Sequence, residues 1–248
     1  MSARPVALVT GGAKRIGAAI VRRLAKAGYD VAIHCGTSRA DAADLAAALP
    51  PPARAAVVCC DLANPAELAA LMPAAREALG PVSLLVNSAS LFEPDTLQTL
   101  EPALWERHFA VNLRAPVFLA QTFAAQCSDG ADASIVNILD QRVLRPNPGF
   151  FSYALTKSAL FSATVTMAQA LAPAVRVNAV APGPTLANIH DGEDGLAREI
   201  AGVPLQRGVE PDEIADAVLY LARARSVTGQ TIAVDAGQHL GWRTPDVV

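Results

Sequence analysis

Short apolar runs alternate with longer stretches of helical spacing along this chain. Val6–Thr10 is apolar and ends at Gly11-Gly12; helical spacing follows from Ile16 to Ala27 and stops at Gly28. Val31–His34 predicts the next strand and Asp41–Leu49 a helix, closed by prolines 50–52. Ala55–Cys59 predicts a strand, Pro65–Leu79 a helix ending before Gly80-Pro81, and Ser83–Val86 a buried strand. The pattern then predicts a long helix over Pro102–Gln126, a strand over Ser134–Leu139 and a helix over Ser152–Ala172. Strand Val175–Val180, helix Pro211–Leu221 and strand Thr231–Val234 complete it. Strands apolar on both faces, alternating with helices, imply a parallel sheet covered on both sides. The expectation is an α/β fold: a single doubly wound Rossmann domain over residues 1–248, with a seven-stranded parallel sheet. One stretch breaks the rhythm. Residues 184–204 are polar, include Asp191-Gly192-Glu193-Asp194-Gly195, and follow a strand's carboxyl end, where either a substrate lid or a solvated excursion belongs.

Composition narrows the function classes. With 248 residues, 52% of them hydrophobic, the chain can bury one substantial core. A net charge of -3 gives no reason to expect nucleic acid or an anionic membrane as partner. No apolar run approaches the roughly 20 residues that span a bilayer, and no signal peptide is evident at Met1–Pro5. Cys35, Cys59, Cys60 and Cys127 lack metal-ligand or C-x-x-C spacing and read as reduced core thiols of a cytoplasmic protein. His34, His108, His190 and His239 are scattered, so no metal site is expected.

Thr10-Gly11-Gly12-Ala13-Lys14-Arg15-Ile16-Gly17 joins the first strand to the first helix. Glycine permits a tight turn there, and the helix start offers free N–H groups to a pyrophosphate. A site for NAD usually has an acid at the end of the second strand. This chain has His34-Cys35-Gly36-Thr37-Ser38-Arg39, with Lys14 and Arg15 in the neighbouring turn. Cations and hydroxyls suit a 2′-phosphate, so NADPH is the expected cofactor. Of only three lysines, Lys14 and Lys157 fall in the expected site. Asp61 and Leu62, after the third strand, offer a carboxylate and an amide to the adenine edge; Asp61 could equally cap the next helix. Asn87-Ser88-Ala89-Ser90 follows the fourth strand, where the cofactor should cross the sheet.

Tyr153 and Lys157 lie four apart on a predicted helix and share one face. An ammonium beside a phenol is expected to lower its pKa and make it a usable proton donor or acceptor. Asp140 stands thirteen residues before the tyrosine.

Taken together, these residues resemble the short-chain dehydrogenase/reductase family over nearly the whole chain. The resemblance rests on the glycine turn, Asp61, Asn87–Ser90, Asn112, Tyr153/Lys157, Pro182-Gly183 and Thr228-Gly229-Gln230. It implies that Asn112 holds a helix backbone and a water linked to Lys157, and that Pro182 and Gly183 approach the nicotinamide amide. Three departures matter: Arg15 replaces a glycine of the turn, Ser90 ends the usual N-N-A-G, and Asp140 replaces serine. All three resemble pteridine reductases, including bacterial dihydromonapterin and dihydrofolate reductases of the short-chain type. That resemblance implies reduction of a dihydropterin or dihydrofolate C=N bond, with Asp140 and Tyr153 relaying a proton and Lys157 binding the nicotinamide ribose. It also implies that Phe92 covers one pterin face, with Arg15 and Ser90 as polar contacts. Carboxylate beside a developing alkoxide would be repulsive, which disfavours a ketone substrate. A carbonyl or enoyl (acyl thioester) reductase, and a catalytically silent NADP-binding sensor, are the alternative readings. The family's habit implies a homotetramer or homodimer. The tail Gln238–Trp242 either reaches a neighbouring active site or packs locally.

Overall fold

Alternation along each strand decides which layer it feeds. In β1 (Val6–Thr10), Ala7 and Val9 pack into one hydrophobic cluster while Val6 and Leu8 pack into the other. A strand buried on both faces must be sandwiched between helices, and the computed structural model shows that arrangement. It describes residues 4–127, 132–187, 190 and 192–242. The strands are β1, β2 (Asp30–Cys35), β3 (Ala55–Cys59), β4 (Val82–Asn87), β5 (Ala133–Ile138), β6 (Val175–Pro182) and β7 (Thr231–Val234). They form one parallel sheet in the order β3-β2-β1-β4-β5-β6-β7. The direction of winding reverses between β1 and β4, which opens a crevice above their carboxyl ends.

Helices α1 (Arg15–Lys26), α2 (Arg39–Ala47) and α8 (Pro211–Arg223) cover one face. Helices α3 (Pro65–Leu79), α5 (Ala115–Gln126) and α6 (Phe151–Leu171) cover the other. Local chemistry sets their starts. Asn64 Oδ1 accepts from Ala66 N–H at 3.0 Å, with Pro65 in the first turn of α3. Glu213 reaches back to the Glu210 N–H at 2.9 Å to begin α8.

Two predicted elements differ. The long helix over 102–126 is broken: α4 (Pro102–Phe109) passes into a π turn at Ala110–Arg114 before α5 begins. Helical spacing is nearly blind to one wide turn, so the sequence pattern runs straight through it. The polar stretch after β6 holds a helix, α7 (Gly192–Gly202). Glu193 and Asp194 favour its amino end, while its three glycines masked the apolar spacing of Leu196 and Ile200. Asn188, Ile189 and Asp191 of the expected lid lie outside the described residues. No described helix is long and apolar enough to cross a membrane.

Candidate active site

The first wall of the crevice is made of main chain. Gly11 has φ +62, and a Cβ there would lie 2.8 Å from Ala89 Cα. Thr10 Oγ1 accepts from the Ser88 and Ala89 N–H groups at 3.0 and 3.1 Å, which locks the turn to the segment after β4. A Cβ on Gly17 would meet Gly11 O at 2.1 Å, so α1 closes directly on the turn. No side chain caps α1 and no acid occupies its first turn, leaving its N–H groups for an anion. Beneath sits His34: Gly11 N–H donates to its Nδ1 at 3.1 Å, and its Nε2 donates to Cys60 O at 3.2 Å. Burial lowers the pKa of His34, consistent with the neutral ring these bonds require.

The second wall is made of side chains. Asp140 Oδ1 accepts from Arg142 N–H at 2.8 Å, and Oδ2 accepts from Arg142 Nη1 at 3.0 Å and from Tyr153 OH at 2.8 Å. Lys157 Nζ donates to Ile138 O at 2.8 Å and lies 5.7 Å from the Tyr153 ring centroid. Phe92 meets Tyr153 edge-on, centroids 4.7 Å apart at 83°, and stacks on Phe150 at 4.1 Å and 9°. Phe92 lines the crevice and Phe150 does not, so Phe150 backs the Phe92 ring. Arg142 lies 5.6 and 5.5 Å from the two ring centroids.

Between these walls lies a cleft of about 380 Å³. Gly11, Lys14, Arg15, Ile16, Gly17, Ala89, Ser90, Phe92, Asp140, Tyr153, Lys157, Pro182 and Gly183 all line it. A Cβ on Gly183 would sit 2.5 Å from Asp235 Cα, so only glycine fits there.

The sequence model described as enoyl-(acyl carrier protein) reductase matches residues 11–239. The crystal structure of FolM alternative dihydrofolate reductase 1 from Brucella canis, complexed with NADP, is 47% identical, with a TM-score of 0.92 and 98% of each chain covered. The chain belongs to the short-chain dehydrogenase/reductase family. Pteridine reductase 1 from Leishmania tarentolae is 35% identical, covering 95% of this chain and 96% of that one. Acetoacetyl-CoA reductase from Allochromatium vinosum is 31% identical, covering 94% and 97%.

Against the family pattern, several expectations need correction. The Tyr153 phenol is not lowered: burial first, then the Asp140 carboxylate, push its pKa well above the usual value. Lys157 instead gives way, its pKa lowered to about 8 by burial. The Asn112 side chain holds loop backbone and one side chain of α6, donating to Thr156 Oγ1 at 3.3 Å. Its Oδ1 accepts from Leu91 N–H at 2.8 Å and its Nδ2 donates to Leu91 O at 2.9 Å, so it clamps the segment carrying Ser90 and Phe92. The π turn carries Asn112 into that position. Asn87 does not reach the cleft either; its Nδ2 donates to Asn137 Oδ1 at 2.8 Å inside the sheet.

Thr37, Ser38, Arg39, Asp61 and Leu62 gather at the carboxyl ends of β2 and β3, outside the cleft lining. Lys14 already pairs with Asp41 at 3.0 Å. Asp61 is no helix cap: Asn64 takes that place, while Asp61 Oδ1 accepts from Ala63 N–H at 2.8 Å. The tail's Gln238 O accepts from Arg145 Nη1 at 3.1 Å, a local contact within the same chain. Sequence reasoning missed Arg142, Phe150 and the seat of His34. Arg142 had a signal available, a cation two residues beyond an unusual acid; Phe150 and His34 had none.

Proposed function

We propose that this short-chain reductase uses NADPH to reduce the C=N bond of a dihydropterin or dihydrofolate to the tetrahydro form. The observation that carries this reading is the bond from Tyr153 OH to Asp140 Oδ2 at 2.8 Å. A carboxylate there opposes an alkoxide but suits delivery of a proton to nitrogen. The likeness to the Brucella canis and Leishmania tarentolae reductases supports the same substrate class.

The residues fit the dinucleotide. The interlocked glycine turn and uncapped α1 suit a pyrophosphate, and Lys14, Arg15, Thr37, Ser38 and Arg39 would hold the 2′-phosphate end. Asp61, Leu62, Ala89 and Ser90 would border adenosine and ribose, with Pro182 and Gly183 at the nicotinamide. Bound NADPH supplies the hydride. The chain supplies the proton. Tyr153 OH, kept protonated by its raised pKa, donates to the ring nitrogen, and the Asp140 carboxylate passes a replacement from solvent. Arg142 holds that carboxylate at two points. Phe92, backed by Phe150, offers a flat face to the pterin; such stacking is worth on the order of 1 kcal/mol.

The segment 184–204 serves as the substrate lid. Arg15 ties it to the glycine turn, donating to Ala187 O at 2.9 Å and Leu186 O at 3.2 Å. The exposed apolar side chains of Phe118, Leu155 and Val165 on α5 and α6 support assembly into a homodimer or homotetramer.

The test is loss of the NADPH absorbance with dihydrobiopterin, dihydromonapterin and dihydrofolate beside a panel of ketones and acyl thioesters. Turnover of pterins is the expected result. Turnover confined to carbonyl substrates would overturn the reading of Asp140.

A further inference from the structure

Beside the cleft, three buried polar side chains form a chain of hydrogen bonds for which the proton relay has no use. Ser152 and His108 are fully buried, and Asp95 is 5% exposed. None of the three lines the cleft. The Glu93 N–H donates to His108 Nε2 at 3.3 Å, which leaves the proton of the neutral ring on Nδ1. Nδ1–H donates to Ser152 Oγ at 2.6 Å, and the Ser152 hydroxyl donates to Asp95 Oδ2. Asp95 Oδ1 also accepts the Ser152 N–H at 3.0 Å, and Asp95 O accepts the Phe151 N–H at 3.2 Å. The carboxylate thus sits at the amino end of α6, where free N–H groups and the helix dipole favour it. Each proton in the chain has one direction, so its geometry is fixed. Burial lowers the pKa of His108, in keeping with the neutral ring.

The placement gives this chain its meaning. Glu93 follows Phe92 directly, and Ser152 directly precedes Tyr153. Three elements are joined: the segment after β4, α4 through His108, and the first turn of α6. The rings of Phe92 and Tyr153 stand 4.7 Å apart at 83° between these anchors. A shift at Ser152 would move the Tyr153 hydroxyl relative to the Phe92 face.

We infer that Asp95, His108 and Ser152 are positioning residues that set the gap between Phe92 and the Tyr153 hydroxyl, aligning a flat substrate with its proton donor. This rests on the reaction proposed above. Misplacement by about 1 Å can cost on the order of 100-fold in rate.

The experiment uses the full-length protein with Ser152→Ala, His108→Gln and His108→Asn. Glutamine keeps an acceptor for the Glu93 N–H and loses the donor to Ser152; asparagine keeps that donor. With dihydrobiopterin and NADPH, Ser152→Ala and His108→Gln are expected to lower kcat on the order of 100-fold. Both should raise the primary isotope effect measured with deuterated NADPH, with NADPH Kd held within about twofold, while His108→Asn recovers most of the rate. A loss of rate that only tracks the folded fraction, with unchanged isotope effect and KM, would overturn the inference. If the wild type reduces only a carbonyl substrate, the reaction reading fails, and the same isotope comparison on that substrate decides the positioning role separately. A structure of Ser152→Ala that keeps the Phe92–Tyr153 separation at 4.7 Å overturns it whatever the substrate.

Discussion

Two loop-to-helix junctions build this cleft, and they are made in opposite ways. The junction from β1 into α1 is shaped by side chains that are missing: Gly11 and Gly17 leave no room for a Cβ. The junction from β5 into α6 is shaped by side chains that are present, with Asp140, Arg142, Phe150 and Tyr153 gripping one another and Phe92. Each also holds a non-glycine residue in the left-handed region, Arg15 at φ 51 and Phe150 at φ 56. That conformation costs about 1–2 kcal/mol per residue, so both side chains must recover something by their contacts. Arg15 recovers two lid carbonyls, and Phe150 recovers a stacked ring. The lesson is that main-chain packing can serve a constant ligand, while side-chain packing can be tuned to a substrate.

Substitutions can separate the two junctions. Tyr153→Phe should produce the largest effect, lowering kcat on the order of 10³-fold while NADPH Kd, read by fluorescence, stays unchanged. Loss of NADPH affinity would show that the junctions are not separable. Asp140→Ser should abolish most pterin reduction, and full activity would contradict the proton relay. Arg142→Met should follow, at about 30-fold in kcat/KM, the scale of one charged hydrogen bond. Wild-type kinetics there would reduce Arg142 to a surface contact.

Acidity gives a finer test. Lys157 carries a folded pKa of about 8 against an ordinary 10.5. Above about pH 8 its ammonium is lost, so kcat/KM should fall with an alkaline limb near that value. Lys157→Arg should move the limb upward, because guanidinium does not titrate there. The stability sign is the reverse. Between about pH 8 and 10.5 the unfolded chain binds more protons at this residue, so its contribution to stability rises with pH. Arg15→Gly should have the smallest effect. Relief of the left-handed strain is worth about 1 kcal/mol in Tm measurements, set against modest rises in the KM of NADPH and of substrate as the 2′-phosphate loses one cation and the lid its tie.

The contrast also explains what the sequence made legible. Apolar runs fed both faces of the sheet, so the seven strands and their parallel arrangement could be read directly. The glycine turn was legible for the same reason: its chemistry lies in consecutive residues. Asp140, Tyr153 and Lys157 were readable as a spacing on one strand and one helix. Phe150, His34 and the clamp of Asn112 on Leu91 were not, because each partner comes from a distant part of the chain. The direction of the Tyr153 shift was misjudged because a nearest charged neighbour was weighed without burial. Helix α7 was hidden by its own glycines.

The π turn at Ala110–Arg114 bears on how this protein can change over time. A π turn holds one residue more than an α-helical path would need. Removing Ala110 or Val111, which precede Asn112 in that turn, would let the helix from Pro102 to Gln126 run regular, and would rotate Asn112 about 100° relative to α4 and away from Leu91. Substitutions along this helix are therefore graded in effect, but its length is not. A lineage could exchange many side chains between 102 and 126 and keep the cleft, whereas a single lost codon would unfasten it.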